Sequence, residues 1–413
     1  MASKGMIPFL VGMMLLTGVC NTLLTKYQDN QCVRNCEDPD IHKRKNFEQP
    51  VLQTAQMFVG EMGCWLVVGL LKLYTRWTNK ISPAERGYEA LNTTPDAADR
   101  AIEDGDDDDD DDDDQRKPVM MELRGKKIMM LALPAICDIC GTTLMNVGLL
   151  LVAASIYQMT RGALVLFVGL FSVLFLKRKL HLFQWLSLVG VVLGVAVVGL
   201  SGFLWPDAKA PQSNNTEADA ERSSALLALI GFLLIAGAQI FTATQFVVEE
   251  WILERYSIEP LKVVGWEGIF GLIFTVLGMV ILHAAVGRTD AGRLGPFDMI
   301  EGWRQMTTQR ALGTSSILIM FSIGSFNFFG LSVTRSVSAT SRSTIDTCRT
   351  LFIWLASLGL GWERFKWLQI VGFALLVYAT FVFNGVVHPP LECLKPKSEV
   401  EELLPEEPIE AHR

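Results

Sequence analysis

Runs of about twenty predominantly apolar residues recur ten times along this chain, and that recurrence leaves few folds open. Each run is long enough to cross a hydrocarbon core of ~30 Å as a helix, and there the backbone must satisfy its own hydrogen bonds. The segments are Ile7–Leu24, Leu52–Leu73, Ile128–Leu150, Ala154–Leu176, Phe183–Leu204, Ala225–Val247, Val263–Ala285, Ser315–Val333, Ala339–Gly361 and Leu368–Val387. Half of the 413 residues are hydrophobic and 34 are glycine, which fits a polytopic membrane protein and not one or two soluble domains.

The segments repeat. FQWLSLVG at Phe183–Gly190 returns 182 residues later as FKWLQIVG at Phe365–Gly372. Two apolar tracts of 49 residues, Ile128–Leu176 and Gly313–Gly361, are each too long for one span. Each carries a small-residue turn at the same relative place, Ala153-Ala154-Ser155 and Ser338-Ala339-Thr340. The run from Leu10 pairs with the run from Leu229, aligning Gly12 with Gly231, Gly18 with Gly237 and Thr25 with Thr244, and Glu61 beside Gly60 corresponds to Glu267 beside Gly268. Five spans per half is an odd number, so the second copy must be inverted in the membrane, an arrangement characteristic of secondary transporters. The expected fold is an all-α polytopic membrane protein of ten transmembrane helices in two inverted five-helix repeats. Residues 1–74 hold spans one and two, 75–127 an acidic cytosolic loop, 128–204 spans three to five, 205–224 a lumenal loop, 225–387 the second repeat and 388–413 a cytosolic tail.

The net charge of −8 comes from one place. Asp106–Asp114 is an unbroken run of nine aspartates preceded by Glu103 and Asp104, and without those eleven acids the chain stands at +3. Such a run reads as a solvated, disordered stretch, with partner or cation binding as the alternative. Lys177, Arg178 and Lys179 after span four, and Lys72, Arg76, Arg124, Lys126 and Lys127 around the acidic loop, set those loops in the cytosol, against a weaker basic set at Arg288, Arg293, Arg304 and Arg310. The sequon at Asn92 would then stay unmodified, while Asn214 would face the lumen and carry a glycan. The N-terminal run after Lys4 has the look of a signal peptide, but its match to span six argues that it stays as a helix. Cys32 and Cys36 could form a disulfide if their loop faces a lumen. Cys137 and Cys140, a lone CxxC within an apolar segment, read as packing residues, and five scattered histidines make no metal centre.

Ionisable groups inside a span are costly and usually face the bundle interior or a cavity. Glu61, Asp138, Arg161, Glu267, Asp346 and Arg349 are such groups. At the repeat offset of 185 Arg161 corresponds to Asp346, so the halves place opposite charges at equivalent positions, and Arg349 shares a helical face with Asp346. Arg161 and Arg349 would hold an anionic group such as phosphate or carboxylate, since a guanidinium offers a rigid fork of donors. Gln158, Tyr157 and Asn327 would supplement that site by their polarity, and Glu61, Glu267, Asp138 and Asp346 are the coupling or gating set. The competing reading pairs Asp346 with an arginine and Glu61 with Lys26 or a backbone donor, with the polar residues as helix glue. Glycines 162, 169, 190, 194, 199, 265, 268, 271 and 278 serve close packing or rocking. In the tail, Glu399 four residues before Leu403-Leu404 has the spacing of a dileucine sorting signal for endosomes and lysosomes, read by a cytosolic adaptor.

The stretches TGVCNTLLTKYQDN (Thr17–Asn30), SIYQMTRGALVLFVGLFSVLFLKRKL (Ser155–Leu180), WEGIFGL (Trp266–Leu272) and SATSRSTIDTCRTLFIW (Ser338–Trp354) resemble the drug/metabolite transporter superfamily, and within it solute carrier family 35, F subfamily, of the member-six type. The resemblance runs from Gly5 to Pro390 except for the acidic insert. It implies ten helices in two inverted repeats, a central cavity and alternating access. Better-known relatives exchange nucleotide sugars for nucleoside monophosphates, although the Phe-Tyr-Asn-Asn and Gly-Ala-Leu-Asn-Lys elements of Golgi carriers do not occur in this chain. The member-six type is associated with lysosomal membranes and has been linked to mitochondria. The expectation is therefore a transporter of a small anionic metabolite in a lysosomal or endosomal bilayer, with mitochondria or Golgi as alternatives. No cofactor and no nucleic-acid partner are expected. A non-transporting membrane adaptor working through the acidic loop and tail is the other reading. An enzyme is the weakest, since no nucleophile with its base is present.

Overall fold

The protein turns its large apolar side chains outward and its charges inward. Leu66, Leu73, Trp77, Phe175, Ile273, Val280, Ile317, Phe321 and Trp367 are exposed, whereas the largest fully buried side chain is Arg342. A soluble protein does the reverse; a bundle bathed in lipid tails has this distribution. The computed structural model describes residues 6–37, 44–47, 49–79, 123, 125–151, 157, 160–204, 219–289, 292–361 and 365–387.

In chain order the helices are α1 (Met6–Asp29), α2 (Pro50–Met62), α3 (Cys64–Asn79), α4 (Ala132–Leu151, led in by a 3-10 segment Gly125–Leu131), α5 (Leu164–Phe175), α6 (Leu182–Leu204), α7 (Asp219–Arg255), α8 (Pro260–Leu282), α9 (Met299–Thr308), α10 (Arg310–Ser336), α11 (Ala339–Gly359) and α12 (Trp367–Phe383). Six helical stretches are long and apolar enough to cross a membrane: Met6–Asp29, Pro50–Thr78, Gly125–Gly148, Leu229–Arg255, Pro260–Gly287 and Arg310–Ser336. Leu164–Phe175, Leu182–Val198 and Trp367–Phe383 are shorter apolar helices. The most extensive packing joins α4 to α7, α6 to α12, α1 to α10 and α2 to α8; α10 also packs on α2, α8 on α4, α7 on α5, and α11 on both α1 and α5.

Several crossings among the described residues are close enough to require glycine, two of them as follows. A Cβ on Gly60 of α2 would run into the Met320 backbone of α10, and one on Gly324 would lie 2.6 Å from the Gly60 carbonyl oxygen. Where α6 meets α12, a Cβ on Gly194 would lie 2.8 Å from the Leu376 nitrogen, and one on Gly372 2.7 Å from the Gly194 oxygen. Backbone contact of this kind maximises dispersion between helices that have no hydrophobic drive to associate in lipid.

The two ends of the bundle differ. One holds the antiparallel pair β1 (Cys32–Arg34) and β2 (Lys45–Asn46), with Cys32 bonded to Cys36. There Gln309 donates to the Cys32 carbonyl at 3.2 Å, Arg34 pairs with Glu301 at 3.0 Å, and Gln49 donates to the Gly295 carbonyl at 3.1 Å. The short helix α9 lies across this end, its first turn capped by Asp298 accepting from the Glu301 amide. At the opposite end Lys127 lies 5.7 Å over the Tyr256 ring, Arg335 donates to the Ile258 carbonyl, and Arg178 pairs with Glu250 at 3.2 Å and with Glu254. The disulfide and the Lys177–Lys179 loop thus fall at opposite ends of the bundle.

Several segments differ from their sequence expectation. Leu52–Leu73 falls within one apolar stretch, Pro50–Thr78, as expected, but Gly63 divides it into α2 and α3, its amide bonding back to Val59 and Gly60. The sixth segment does not stop at Val247, because α7 runs 37 residues to Arg255, about 55 Å at 1.5 Å per residue, and carries Glu249 and Glu250 inside the bundle. The fold is also not purely helical, since β1 and β2 pair beside the disulfide. The turn at Ser338 is found, its hydroxyl accepting from the Ser341 amide to start α11. Its counterpart Ala153-Ala154-Ser155 lies outside the described residues, as do Asn92, Asn214, the Asp106–Asp114 run, and Glu399, Leu403 and Leu404 of the tail.

Candidate functional site

Two charged clusters sit inside the bundle, and α11 contributes to both. Arg342, Asp346 and Arg349 follow one another at i, i+4 and i+7, which places them along one helical face over about 10 Å.

The first cluster surrounds Arg342. Its Nη1 pairs with Glu249 Oε2 of α7 at 2.5 Å, with the two side chains 2% and 1% exposed. The guanidinium also stacks 4.1 Å over the Phe246 ring, one turn before Glu249. The neighbouring α10 makes room with Gly330, where a Cβ would stand 2.9 Å from Arg342 Nε. Gln245 donates to the other Glu249 oxygen at 2.9 Å, and Asn327 of α10 donates to Glu61 Oε1 of α2 at 2.5 Å. Glu61, Asp138, Glu249, Glu267, Asn327 and Arg342 line a closed space with room for about one water molecule. Four carboxyl groups therefore share one guanidinium, and Glu267 Oε1 and Arg342 Nε have no hydrogen-bond partner.

The second cluster lies two turns along α11. Arg349 Nε is 3.3 Å from Asp346 Oδ1, and its Nη2 donates to Asp346 Oδ2 at 3.3 Å. Its guanidinium lies 4.8 Å from the Phe326 ring, with Gly18 of α1 giving its stem passage: a Cβ there would be 2.7 Å from Arg349 Cδ. Arg161 and Tyr157 are within electrostatic reach of Arg349. Arg161 is half-buried and has no ion-pair partner among the described residues, and the Tyr157 hydroxyl is 3.7 Å from Met145 Sδ.

Next to Glu249 on α7, Glu250 makes contacts of its own towards the basic end. Its Oε2 accepts from the Ala339 amide at the start of α11, 3.1 Å away, while Oε1 takes the Arg178 guanidinium. Ser172 of α5 and Thr340 of α11 share a hydrogen bond of 3.1 Å beside it. An anion at a helix N-terminus is favoured by the free amides and the helix dipole.

The residues singled out from sequence thus divide. Glu61, Asp138, Glu267 and Asn327 meet in the first cluster; Asp346 and Arg349 form the second, with Arg161 and Tyr157 within electrostatic reach of Arg349; Gln158 lies outside the described residues. Asp346 pairs within its own helix and Glu61 takes the Asn327 amide. Arg342, Glu249, Gln245 and Glu250 were not foreseen. A signal for Arg342 existed, because it continues the Asp346–Arg349 face by one further turn.

Comparison with known proteins identifies the family. Residues 115–285 match the nucleotide-sugar transporter family model. The chain is 38% identical to an uncharacterized protein of Schizosaccharomyces pombe, over 92% of this chain and 97% of that one. It is 34% identical to solute carrier family 35 member F6 of Homo sapiens, over 93% of this chain and 90% of the relative. The chain belongs to solute carrier family 35. It is a multi-pass membrane protein of a transporter family and not an enzyme. A shorter stretch of 155 residues, 37% of this chain, is 32% identical to the UDP-N-acetylglucosamine transporter of Canis lupus familiaris, covering 43% of that protein.

Proposed function

We propose that this member of solute carrier family 35 is a secondary-active transporter of a small anionic organic metabolite, with nucleotide sugars as the leading class, and that it works by alternating access between two inverted five-helix repeats. The packing supports the symmetry. If α1, α2–α3, α4, α5 and α6 correspond to α7, α8, α10, α11 and α12, the α4–α7 contact exchanges with α10–α1, α2–α10 with α8–α4, and α5–α7 with α11–α1. The pairs α6–α12, α2–α8 and α5–α11 map onto themselves, and all of these contacts occur. A two-fold axis in the membrane plane relates them in this way.

The observation that carries the substrate reading is the Arg349–Asp346 pair with Arg161 close by, between helices of the two halves. Asp346 occupies Arg349 as an internal carboxylate. An incoming phosphate or carboxylate would displace it and recruit Arg161, so binding would exchange one anion for another and avoid leaving a buried arginine bare. The 155-residue stretch that resembles the UDP-N-acetylglucosamine transporter makes uridine nucleotide sugars the first probe. The tail signal Glu399-Leu403-Leu404 would address the protein to lysosomal or endosomal membranes through a cytosolic adaptor, and Asn214 would carry a lumenal glycan.

The test is counterflow in proteoliposomes preloaded with unlabelled nucleotides. Labelled nucleotide sugar should accumulate transiently and saturably, and Arg349→Ala should abolish the signal while the protein stays monodisperse. Absence of counterflow across a panel of nucleotides, nucleotide sugars and other anionic metabolites would end the transporter reading. Full activity in an Arg161→Ala/Arg349→Ala double variant would end the site assignment alone.

A further inference from the structure

We propose that the pocket around Arg342 is a proton-binding site and that its protons are the coupling ions of the transport cycle. The second clause rests on the transporter reading above; the first stands without it.

The argument is charge balance in a closed space. The charged groups facing the pocket are Glu61 from α2, Asp138 from α4, Glu249 and Arg342 from α7 and α11, and Glu267 from α8, with the neutral Asn327 from α10 and Gln245 from α7. Arg342 is committed to Glu249 by their contact at 2.5 Å. Glu61 receives only a neutral amide from Asn327, and Glu267 Oε1 receives nothing, although Glu267 is 6% exposed. With one cation among four carboxyl groups, three negative charges would remain in an interior that holds about one water. Carboxylates sharing such a site cannot all ionise. Protons on Glu61, Asp138 and Glu267 remove the imbalance and turn each acid into a donor for its neighbour. At the basic end Arg178 pairs with Glu250, which also accepts from the Ala339 amide, and in the proposal the pocket's protons exchange with water when that contact opens. Such a site is loaded on one side of the membrane and emptied on the other, which is what coupling to a proton gradient needs.

The experiment is infrared spectroscopy of the full chain in lipid, without substrate, at neutral pH. A protonated-carboxyl C=O band, resolved from ionised carboxylate bands, is expected. Glu61→Gln, Asp138→Asn and Glu267→Gln should each remove a share of it. Glu249→Gln should shrink it too, because Arg342, deprived of its partner, then ionises a neighbouring acid. No such band, or a band unchanged in the three single variants, overturns the proposal. So does a band lost when calcium, magnesium or manganese is added, since the pocket is then a divalent-cation site. The substitutions are near-isosteric, and any variant that fails to stay monodisperse is replaced by carbodiimide labelling of wild type, in which protonated Glu61, Asp138 or Glu267 should carry the acylurea mass and wholly unlabelled residues refute the idea. A second arm uses labelled nucleotide sugar in proteoliposomes. A pH gradient should drive its accumulation by wild type, and Glu267→Gln should lose the gradient response by a larger factor than it loses exchange. Wild type that exchanges but ignores the gradient refutes coupling; wild type that does not exchange at all refutes the substrate reading and leaves the infrared result to judge the site.

Discussion

Removing Arg342 tests whether the first cluster is an interdependent unit. In Arg342→Met the stem volume is nearly kept and the guanidinium is lost, so Glu249 is left without its cation inside the bundle. Breaking one side of a buried pair costs about 3–5 kcal/mol, much of it the uncompensated charge on the partner. The Phe246 stacking adds about 1–2 kcal/mol where desolvated. Glu249→Gln should cost a similar amount, since it breaks the same buried pair from the other side. The double variant removes both charges and leaves a Gln beside a Met. It should therefore lie closer to wild type than either single variant, with a coupling energy of about 2–4 kcal/mol.

The assay can use the chain's own thiols. Cys64, Cys137 and Cys348 are buried, so a thiol-reactive fluorophore reports unfolding in mixed micelles of increasing denaturing detergent. Cys20 is exposed and Cys140 half-buried, and both are replaced by Ser beforehand, together with Cys393 of the tail, to remove the background. The reasoning fails if Arg342→Met costs under about 1 kcal/mol, or if the double variant costs the sum of the two. Either result would mean that water or a neighbouring side chain replaces the lost partner freely, and the pocket would then not be closed.

Other perturbations address the rest of the bundle. Gly60→Val should destabilise the α2–α10 crossing by several kcal/mol in the same assay, because the obstructing group is Met320 backbone, whereas Gly12→Val, with open space around it, should change little. Asp346→Asn should raise affinity for an anionic ligand in a thermal-shift titration, since Arg349 loses its internal competitor; weaker binding would show that Asp346 touches the substrate itself. At the disulfide end, burial raises the affinity of Glu301 for its proton, but the hydrogen bonds from Arg34 and Gln305 and the nearby Arg304 charge outweigh it and hold this carboxyl below its ordinary range. A lowered folded value contributes stability above the ordinary carboxylate range and loses it only as pH falls through the lowered one. Proteolytic resistance of the 288–310 region should thus persist at mildly acidic pH in wild type and fall in Glu301→Gln; an equal loss in both would refute the assignment. Cys32 and Cys36 should react with an impermeant maleimide only after reduction, and from the side opposite the acidic loop.

What was legible in the sequence follows from where the physics acts locally. Spans show themselves by length and apolarity, and Glu61, Asp138, Glu267 and Arg349 stand out because each interrupts an apolar run with an ionisable group. Glu249 and Glu250 were hidden for the opposite reason. A Glu pair followed by Trp-Ile-Leu-Glu-Arg looks like the polar exit of a span, and only packing shows that α7 continues to Arg255 with Glu249 1% exposed. Arg342 stood too close to the Ser338 turn to be taken as buried. The packing role of Gly60 was not legible either, because a glycine's neighbour across a helix crossing is known only from the fold.

The placement of both clusters on α11 has a mechanical consequence. Arg342 and Arg349 are fixed about 10 Å apart on one rigid helix, so rotation or tilt of α11 changes the partners of both together. Its N-terminus is held by Glu250, which also takes Arg178 from the loop after α5. Opening the basic end must break that three-way contact, free the Ala339 amide and let α11 move. In the proposed cycle an anion drawing Arg349 away from Asp346 and a proton exchanging at Glu267 would then act on the same element from two points. Coupling of this kind needs no conduit of intermediate residues, only a bistable helix that both ligands bias. Glu250→Gln distinguishes this from two independent sites. Weakening the cap and the Arg178 contact together should shift the open–closed balance and change apparent anion affinity and proton exchange in parallel. If the variant alters one and leaves the other untouched, α11 is not the shared element.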